Sequence, residues 1–210
     1  MLSIVSMTLG PVMTNTFIVA DDASGEAVVI DPADEGKRIA AEIADRDWRL
    51  VSIWLTHAHF DHLGGAGDLA DSSTPPPPVA LHPDDYQLWR MQGGAAIFGM
   101  KIDPGPEPTI DLTHNQLLHL GEHTFRVLHA PGHTQGHVMF HNQSQGLLFC
   151  GDVIFQGSIG RTDLPGGDYD TLIHSIHTQV MNLADETVLL CGHGPQSKVG
   201  VERLYNPFIR

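Results

Sequence analysis

Residues 57–62 read His-Ala-His-Phe-Asp-His, and this segment constrains the chain more than any other. Imidazole nitrogens and carboxylate oxygens are the ligands that Zn²⁺ and Fe²⁺ prefer, and residues two apart can converge on one ion where a loop leaves a strand. A strand-like run at 50–56 leads directly into His57. The segment therefore predicts a metal site at the end of a strand.

The second half of the chain repeats one pattern, in which a strand-like run ends at a glycine turn and a histidine or aspartate follows. The residues delivered in this way are His133, Asp152 and His193. Ligands of layered α/β folds bind outside the strand ends, so we expect these side chains to meet the first cluster.

The chain therefore offers seven candidate metal ligands: His57, His59, Asp61, His62, His133, Asp152 and His193. One tetrahedral ion needs four ligands at most, whereas two ions that share a bridging carboxylate and a bridging water would use all seven. We predict two divalent ions, with zinc as the first choice and iron or manganese as alternatives.

Length and charge limit the classes of partner. The chain has 210 residues, which suits a single domain over 1–210, and its formal charge of −14 repels phosphate backbones and anionic lipids. We expect a small-molecule substrate and neither nucleic acid nor membrane as partner, while the oligomeric state stays open. Two cysteines and no apolar leader or spanning run predict a cytoplasmic protein.

Two cations are candidates for binding an anionic part of the substrate. Arg161 follows Asp152 by nine residues and can pair with a substrate carboxylate, although an ion pair with Asp163 or Asp168 is the competing interpretation. Lys198 lies close to His193 in the sequence, and a solvated surface lysine is its alternative.

Other polar residues have simpler interpretations. His137 is expected to support or pack against the ligands, and Asp31 either forms a turn or supports a ligand histidine. His174 and His177 are expected on the solvated side of an amphipathic helix. Residues 86–110 are rich in Gly, Pro and Met, which predicts a mobile loop that covers the site. Its aromatic and Met side chains either line the mouth of the site or fill the core.

The donor pattern resembles that of the metallo-β-lactamase superfamily, whose H-x-H-x-D-H motif matches residues 57–62 and whose later His, Asp and His match the three strand-end donors. Within the superfamily, the chain is similar to the small glyoxalase II-like hydrolases. That similarity is carried by four segments, THAHFDHLGG (56–65), APGHTQGH (130–137), GDVIFQGSIGRTDLPGGD (151–168) and CGHGP (191–195). It extends over essentially the whole chain.

The resemblance implies an α/β fold of the αββα four-layer sandwich type. It also implies a division of the ligands, with His57, His59 and His133 on one metal, Asp61, His62 and His193 on the other, and Asp152 bridging them. Asp61 is the predicted catalytic residue, because its carboxylate can accept a hydrogen bond from the nucleophile as well as bind the second metal.

The implied activity is hydrolysis of an S-2-hydroxyacylglutathione thioester, such as S-lactoylglutathione to lactate and glutathione, by a metal-bound hydroxide. A thioester suits such a site because a thiolate, with a pKa of about 8.5, leaves with little protonation. The competing activity is oxidation of glutathione persulfide by a mononuclear iron persulfide dioxygenase. The chain resembles the persulfide dioxygenases at residues 160–163. A different hydrolase of the fold, such as a lactonase, also stays open. The complete set of seven ligands argues against a non-enzymatic binding module.

Overall fold

The computed structural model describes residues 1–209, and two six-stranded sheets form its centre. The first sheet contains β1 (Leu2–Leu9), β2 (Thr14–Asp21), β3 (Glu26–Ile30), β4 (Arg49–Trp54), β5 (Val79–Leu81) and β6 (Ile110–Asp111). The second contains β7 (Leu117–Leu120), β8 (His123–His129), β9 (Val138–Asn142), β10 (Leu147–Gly151), β13 (Val188–Cys191) and β14 (Ser197–Lys198). A small hairpin joins β11 (Ile154–Phe155) to β12 (Ser158–Ile159).

Helices cover the outer faces of the two sheets. They are α1 (Gly36–Ala44), α2 (Phe60–Leu63), α3 (Ala66–Ala70), α4 (Tyr86–Arg90), α5 (Tyr169–Ser175) and α6 (Val199–Tyr205). Short 3₁₀ segments span Pro83–Asp85 and Gln92–Phe98, and a π-helical turn, Ile176–Val180, extends α5. No helix in residues 1–209 is long and apolar enough to span a membrane.

The first sheet has the strand order β1-β2-β3-β4-β5-β6, and the second has the order β14-β13-β10-β9-β8-β7. Antiparallel hairpins start the first sheet, and its pairs from β3 to β6 are parallel. In the second sheet, β10 and β13 are parallel neighbours, so their carboxyl ends lie at the same edge. These ends precede Asp152 and His193, and this pairing therefore places two of the predicted ligands side by side.

Three apolar layers confirm the predicted αββα sandwich. The layer between the sheets is aromatic, and the Trp54 ring lies 5.3 Å from that of Phe125. A second layer packs Ile39 of α1 on the outer face of the first sheet, and a third packs Leu172 and Ile176 on the second sheet. Each such fully buried side chain contributes about 1.5–3 kcal/mol to stability. Cys150 and Cys191 are buried thiols of this third layer.

The segment at 86–98 differs from the mobile loop that the sequence predicts, because it is helical in α4 and in the 3₁₀ segment after it. Gly93 and Gly94 have left-handed backbone angles, with φ of 63° and 74°, which interrupt the helix. Because of this interruption, the sequence has no continuous helical periodicity from which the helix could be predicted. A Cβ on Gly93 would lie 2.2 Å from the backbone nitrogen of Phe60. Glycine at this position thus allows the segment to rest directly on the turn that carries His59 and Asp61.

Candidate metal centre

The structure brings the seven predicted ligands together at one edge of the sandwich. They enter from separate strand ends: the 57–62 turn follows β4, His133 follows β8, Asp152 follows β10 and His193 follows β13. Their donor atoms fall into three overlapping groups, each within 4.8 Å, which are His57, His59 and His133; His57, His62 and Asp152; and Asp61, His62 and His193. The first and third groups correspond to the two sets of ligands that the resemblance implies, and the middle group connects them.

Asp152 lies between the two halves of the cluster. Its Oδ2 lies 3.6 Å from His133 Nε2 in the first half and 3.4 Å from His193 Nε2 in the second. Its Oδ1 lies 3.3 Å from His62 Nε2. A carboxylate that reaches both halves is placed to be shared by two ions.

Several cluster imidazoles hydrogen-bond the protein through the ring nitrogen that faces away from the cluster, whereas His59 Nδ1 and His133 Nε2 lie 2.9 Å apart inside it. His133 Nδ1 donates to the backbone carbonyl of Arg161 at 2.7 Å, and His57 Nδ1 lies 3.0 Å from Thr56 Oγ1. His57 Nε2 is buried and has no hydrogen-bond partner among residues 1–209. Proteins pair buried polar atoms, and metal-bound histidines characteristically bond their second nitrogen to a carbonyl or carboxylate. The residues present therefore fit a site for divalent transition-metal ions.

Asp31 supports this cluster, which decides between the two interpretations that the sequence leaves open. Its Oδ1 accepts from the backbone nitrogen of Thr56 at 2.7 Å, and its Oδ2 accepts from Thr56 Oγ1 at 2.7 Å. The same Oδ2 lies 3.0 Å from His62 Nδ1. Asp31 thereby orients the His62 ring so that Nε2 faces Asp61 and Asp152.

Asp85 is a supporting residue that sequence reasoning missed. It is buried, its Oδ2 accepts from the Ala58 backbone nitrogen at 3.0 Å and from Thr134 Oγ1 at 2.8 Å, and its Oδ1 accepts from the Gly136 backbone nitrogen at 2.7 Å. One carboxylate thus ties the turn that carries His57 to the loop that carries the donor at 133. Its partners are mostly backbone groups far away in the chain, so no spacing in the sequence indicates this role.

Replacing Asp85 by alanine should lower the free energy of unfolding by about 2–4 kcal/mol, because two buried N–H groups and a hydroxyl lose their charged acceptor. Urea unfolding of the metal-free protein measures this. The exposed neighbour, in the variant Asp84→Ala, is the matched control and should change stability by less than about 0.5 kcal/mol. Equal effects of the two variants would contradict the assigned role of Asp85.

The two halves of the cluster differ in charge. Burial, together with neighbouring His133, lowers the pKa of His59 to about 3, and burial likewise lowers the pKa of His57 and His133. Burial opposes a charge on His193 as well, but contacts with Asp152 and Asp61 raise its pKa to about 9. The same carboxylates outweigh burial at His62 and raise its pKa well above the ordinary value. At neutral pH the first half is therefore neutral imidazole, whereas both histidines of the second half hold protons.

Metal uptake by the metal-free protein should therefore divide into two steps with different pH dependence. An ion entering the second half must displace protons from His62 and His193, so its apparent affinity should rise by up to about tenfold per pH unit and per proton as the pH increases toward 9. Affinity of the first half should change little above pH 6, because its imidazoles are already neutral. Zinc titrations against a chromophoric chelator at pH 6 and pH 8.5 measure both steps. Zinc affinities that fall by the same factor in both steps at pH 6 would contradict the assigned difference in protonation between the two halves.

The two candidate cations have different surroundings. Arg161 lines the cleft beside the donors, but its guanidinium bonds the carboxylate of Asp163 through two contacts of 2.8 and 2.7 Å. The prediction that Lys198 binds an anionic part of the substrate is corrected by the structure. Its Nζ lies 2.7 Å from Glu186 Oε2, and Lys198 is not among the residues that line the cleft. Sequence proximity to His193 is misleading here because Lys198 lies on β14, where its side chain turns toward the solvent.

Residues 9–193 match the family described as the metallo-beta-lactamase superfamily, and the chain belongs to this superfamily. Among curated proteins, it is 36% identical over 196 residues to "Hydroxyacylglutathione hydrolase GloC" of Haemophilus influenzae, covering 93% of this chain and 92% of that one. It is 34% identical over 208 residues to "Probable metallo-hydrolase YqgX" of Bacillus subtilis, covering 97% and 95%. These findings place the chain among the metallo-hydrolases of the superfamily.

Solved structures give the same result. The BLEG-1 B3 metallo-beta-lactamase has a TM-score of 0.91 and 36% identity, covering 100% of this chain and 99% of that one. TTHA1623 in a di-iron-bound form has a TM-score of 0.88 and 37% identity, covering 97% and 99%. The superfamily assignment therefore rests on both sequence and fold.

Proposed function

We propose that the chain is a metal-dependent hydrolase of thioesters of the S-2-hydroxyacylglutathione type, which cleaves S-lactoylglutathione to lactate and glutathione. The observation that carries the proposal is the pair of three-residue donor groups, with Asp152 in contact with imidazoles of both, beside an open cleft of about 680 Å³. The similarity to a relative named as a hydroxyacylglutathione hydrolase supports the choice of substrate.

The donor set would hold two divalent ions. His57, His59 and His133 would bind one, Asp61, His62 and His193 the other, and Asp152 both. Such ions supply a water activated at neutral pH and positive charge for the oxyanion that develops on the carbonyl. We propose zinc as the first choice and iron or manganese as alternatives.

Asp61 is proposed to orient the attacking water. Its Oδ2 accepts a hydrogen bond from Thr14 Oγ1 at 3.0 Å and lies 3.3 Å from His193 Nε2. The neighbouring His62 outweighs burial and lowers the pKa of Asp61 to about 2, so this carboxylate is ionised at neutral pH. An ionised oxygen that faces the cleft can accept a hydrogen bond from water and direct its lone pair at the carbonyl carbon.

The polar residues of the cleft favour a thioester over an amide. Among its described lining residues, the titratable side chains outside the donor cluster are Asp84, Asp85 and Arg161. Asp85 is committed to three hydrogen bonds, and Arg161 is paired with Asp163. An amide nitrogen requires a proton donor in order to leave, whereas a thiolate does not. The cleft thus matches a leaving group that departs without a general acid.

Assays on one preparation test the proposal. Metal-free protein is loaded with zinc, iron or manganese, and release of free thiol from S-lactoylglutathione is followed with and without a chelator. We expect thiol release that depends on the added metal and is lost on chelation. No release above the uncatalysed rate with any of the three metals would overturn the proposal. Oxygen uptake with glutathione persulfide by an iron-loaded sample that lacks thioesterase activity would replace it with the dioxygenase.

A further inference from the structure

One wall of the cleft is apolar and exposed. It is formed by α4 and the 3₁₀ segment after it, which present Leu88, Met91, Ile97 and Phe98 to the cavity. The last three are 55%, 60% and 46% exposed. Isolated apolar side chains are common on protein surfaces, but adjacent ones that face a concave site are typical of ligand binding.

A second wall of the cleft is apolar as well. Phe155, Ile159, Leu164 and Pro165 line it, and they lie on the β11–β12 hairpin and the loop that follows. The cavity that the two walls line is therefore bounded mainly by carbon, and residues of the metal-ligand cluster form part of the same lining.

Each wall reaches a residue of the metal-ligand cluster or its direct neighbour. The ring of Phe98 lies 5.2 Å from that of Phe60, which stands between His59 and Asp61 in the chain. The ring of Phe155 lies 5.9 Å from that of His193. A substrate carbonyl at the cluster would thus place the first carbons of its acyl group in contact with apolar side chains.

The side chains of the cleft offer few charged contacts to a glutathione moiety. Arg161 is the one cationic side chain among the described lining residues outside the cluster, and Asp163 already occupies its guanidinium. Asp84 adds a carboxylate at the rim. Because glutathione carries two carboxylates, its binding gains little from these walls, and the apolar surface is left for the acyl group.

We infer that the cleft selects 2-hydroxyacyl thioesters with an apolar acyl chain of about six to eight carbons over the lactoyl group. The inference rests on the proposed thioester hydrolysis and specifies the acyl group which that site prefers. Burying one methylene is worth about a two- to fourfold gain in affinity at a partly open wall. Five additional methylenes, from lactoyl to 2-hydroxyoctanoyl, should raise kcat/KM by at least about 30-fold.

The test compares the lactoyl, 2-hydroxyhexanoyl and 2-hydroxyoctanoyl thioesters of glutathione with the metal-loaded protein. These substrates share the thiol and the 2-hydroxyl, so differences in kcat/KM report the acyl chain. We expect kcat/KM to rise along the series. Hydrolysis of all three at equal or falling kcat/KM would overturn this inference alone, whereas no hydrolysis of any would overturn the proposed function and the inference with it.

Variants of the first wall test whether it causes the preference for longer acyl chains. The triple variant Met91→Ser, Ile97→Ser, Phe98→Ser and the single variant Ile97→Ser replace exposed side chains. Because Phe98 also contacts the Phe60 ring, the ratio of the two substrates is compared within each variant, which cancels a general loss of activity. The triple variant should reduce the octanoyl-to-lactoyl ratio to below about fivefold, and the single variant should reduce it partly. Leu117→Ser, at an equally exposed position on β7, should leave the ratio unchanged. A triple variant that keeps the full ratio would contradict binding of the acyl chain at this wall.

Discussion

The variant Asp152→Asn is expected to lose at least about 10³-fold in kcat/KM for thioester hydrolysis and to bind fewer than two ions per chain. The amide retains the shape of the side chain but removes the charge that lies within 3.3 to 3.6 Å of imidazoles in both halves of the cluster. Charge stabilisation by a metal centre is worth several kcal/mol, and about 4 kcal/mol corresponds to a factor of 10³ in rate.

Metal content by elemental analysis and steady-state kinetics on the same sample measure this expectation. The control Asp45→Asn removes a carboxylate from an exposed position after α1 and should leave both quantities at the level of the unmodified protein. Two ions bound to Asp152→Asn together with a rate within tenfold of the unmodified protein would contradict a shared role for this carboxylate.

The variant Asp61→Asn is expected to lower kcat by about 10²- to 10⁴-fold while KM changes little. Its carboxylate contacts His193 and Thr14 at the edge of the cleft, and the proposed interaction with the attacking water acts in the transition state. Because the other half of the cluster does not include Asp61, that half should retain its ion.

Metal analysis should therefore give close to one tightly bound ion for Asp61→Asn. Asp68→Asn, a nearby exposed position on α3, is the matched control and should keep both ions and full kcat. A variant at Asp61 that raises KM and leaves kcat unchanged would assign the residue to substrate binding instead.

The donor cluster is the part of the site that the sequence predicts most directly. Its residues follow strand ends, each marked locally by a β-prone run, and the three later strand ends are also marked by a glycine turn, as at Gly151 before Asp152. Local signals therefore determine which side chains reach the edge of the sandwich, and the sheet pairing of β10 with β13 brings them together.

The supporting and binding residues are less predictable, because they depend on contacts distant in the chain. Asp85 bonds groups at positions 58, 134 and 136, and only the packed fold brings these together. The helical wall at 86–98 is hidden by Gly93 and Gly94. Lys198 is close to a donor in sequence and remote from the cleft, because side-chain direction on β14 is a property of the sheet.

The most direct test of a two-metal thioesterase is a titration of metal-free protein with zinc at pH 8.5, in which S-lactoylglutathione hydrolysis is followed at each addition. Thiol release should equal the uncatalysed rate without metal, rise with added zinc and level off at two ions per chain. A rate that is independent of zinc, or no hydrolysis when two ions are bound, would contradict the proposed role of the metal centre.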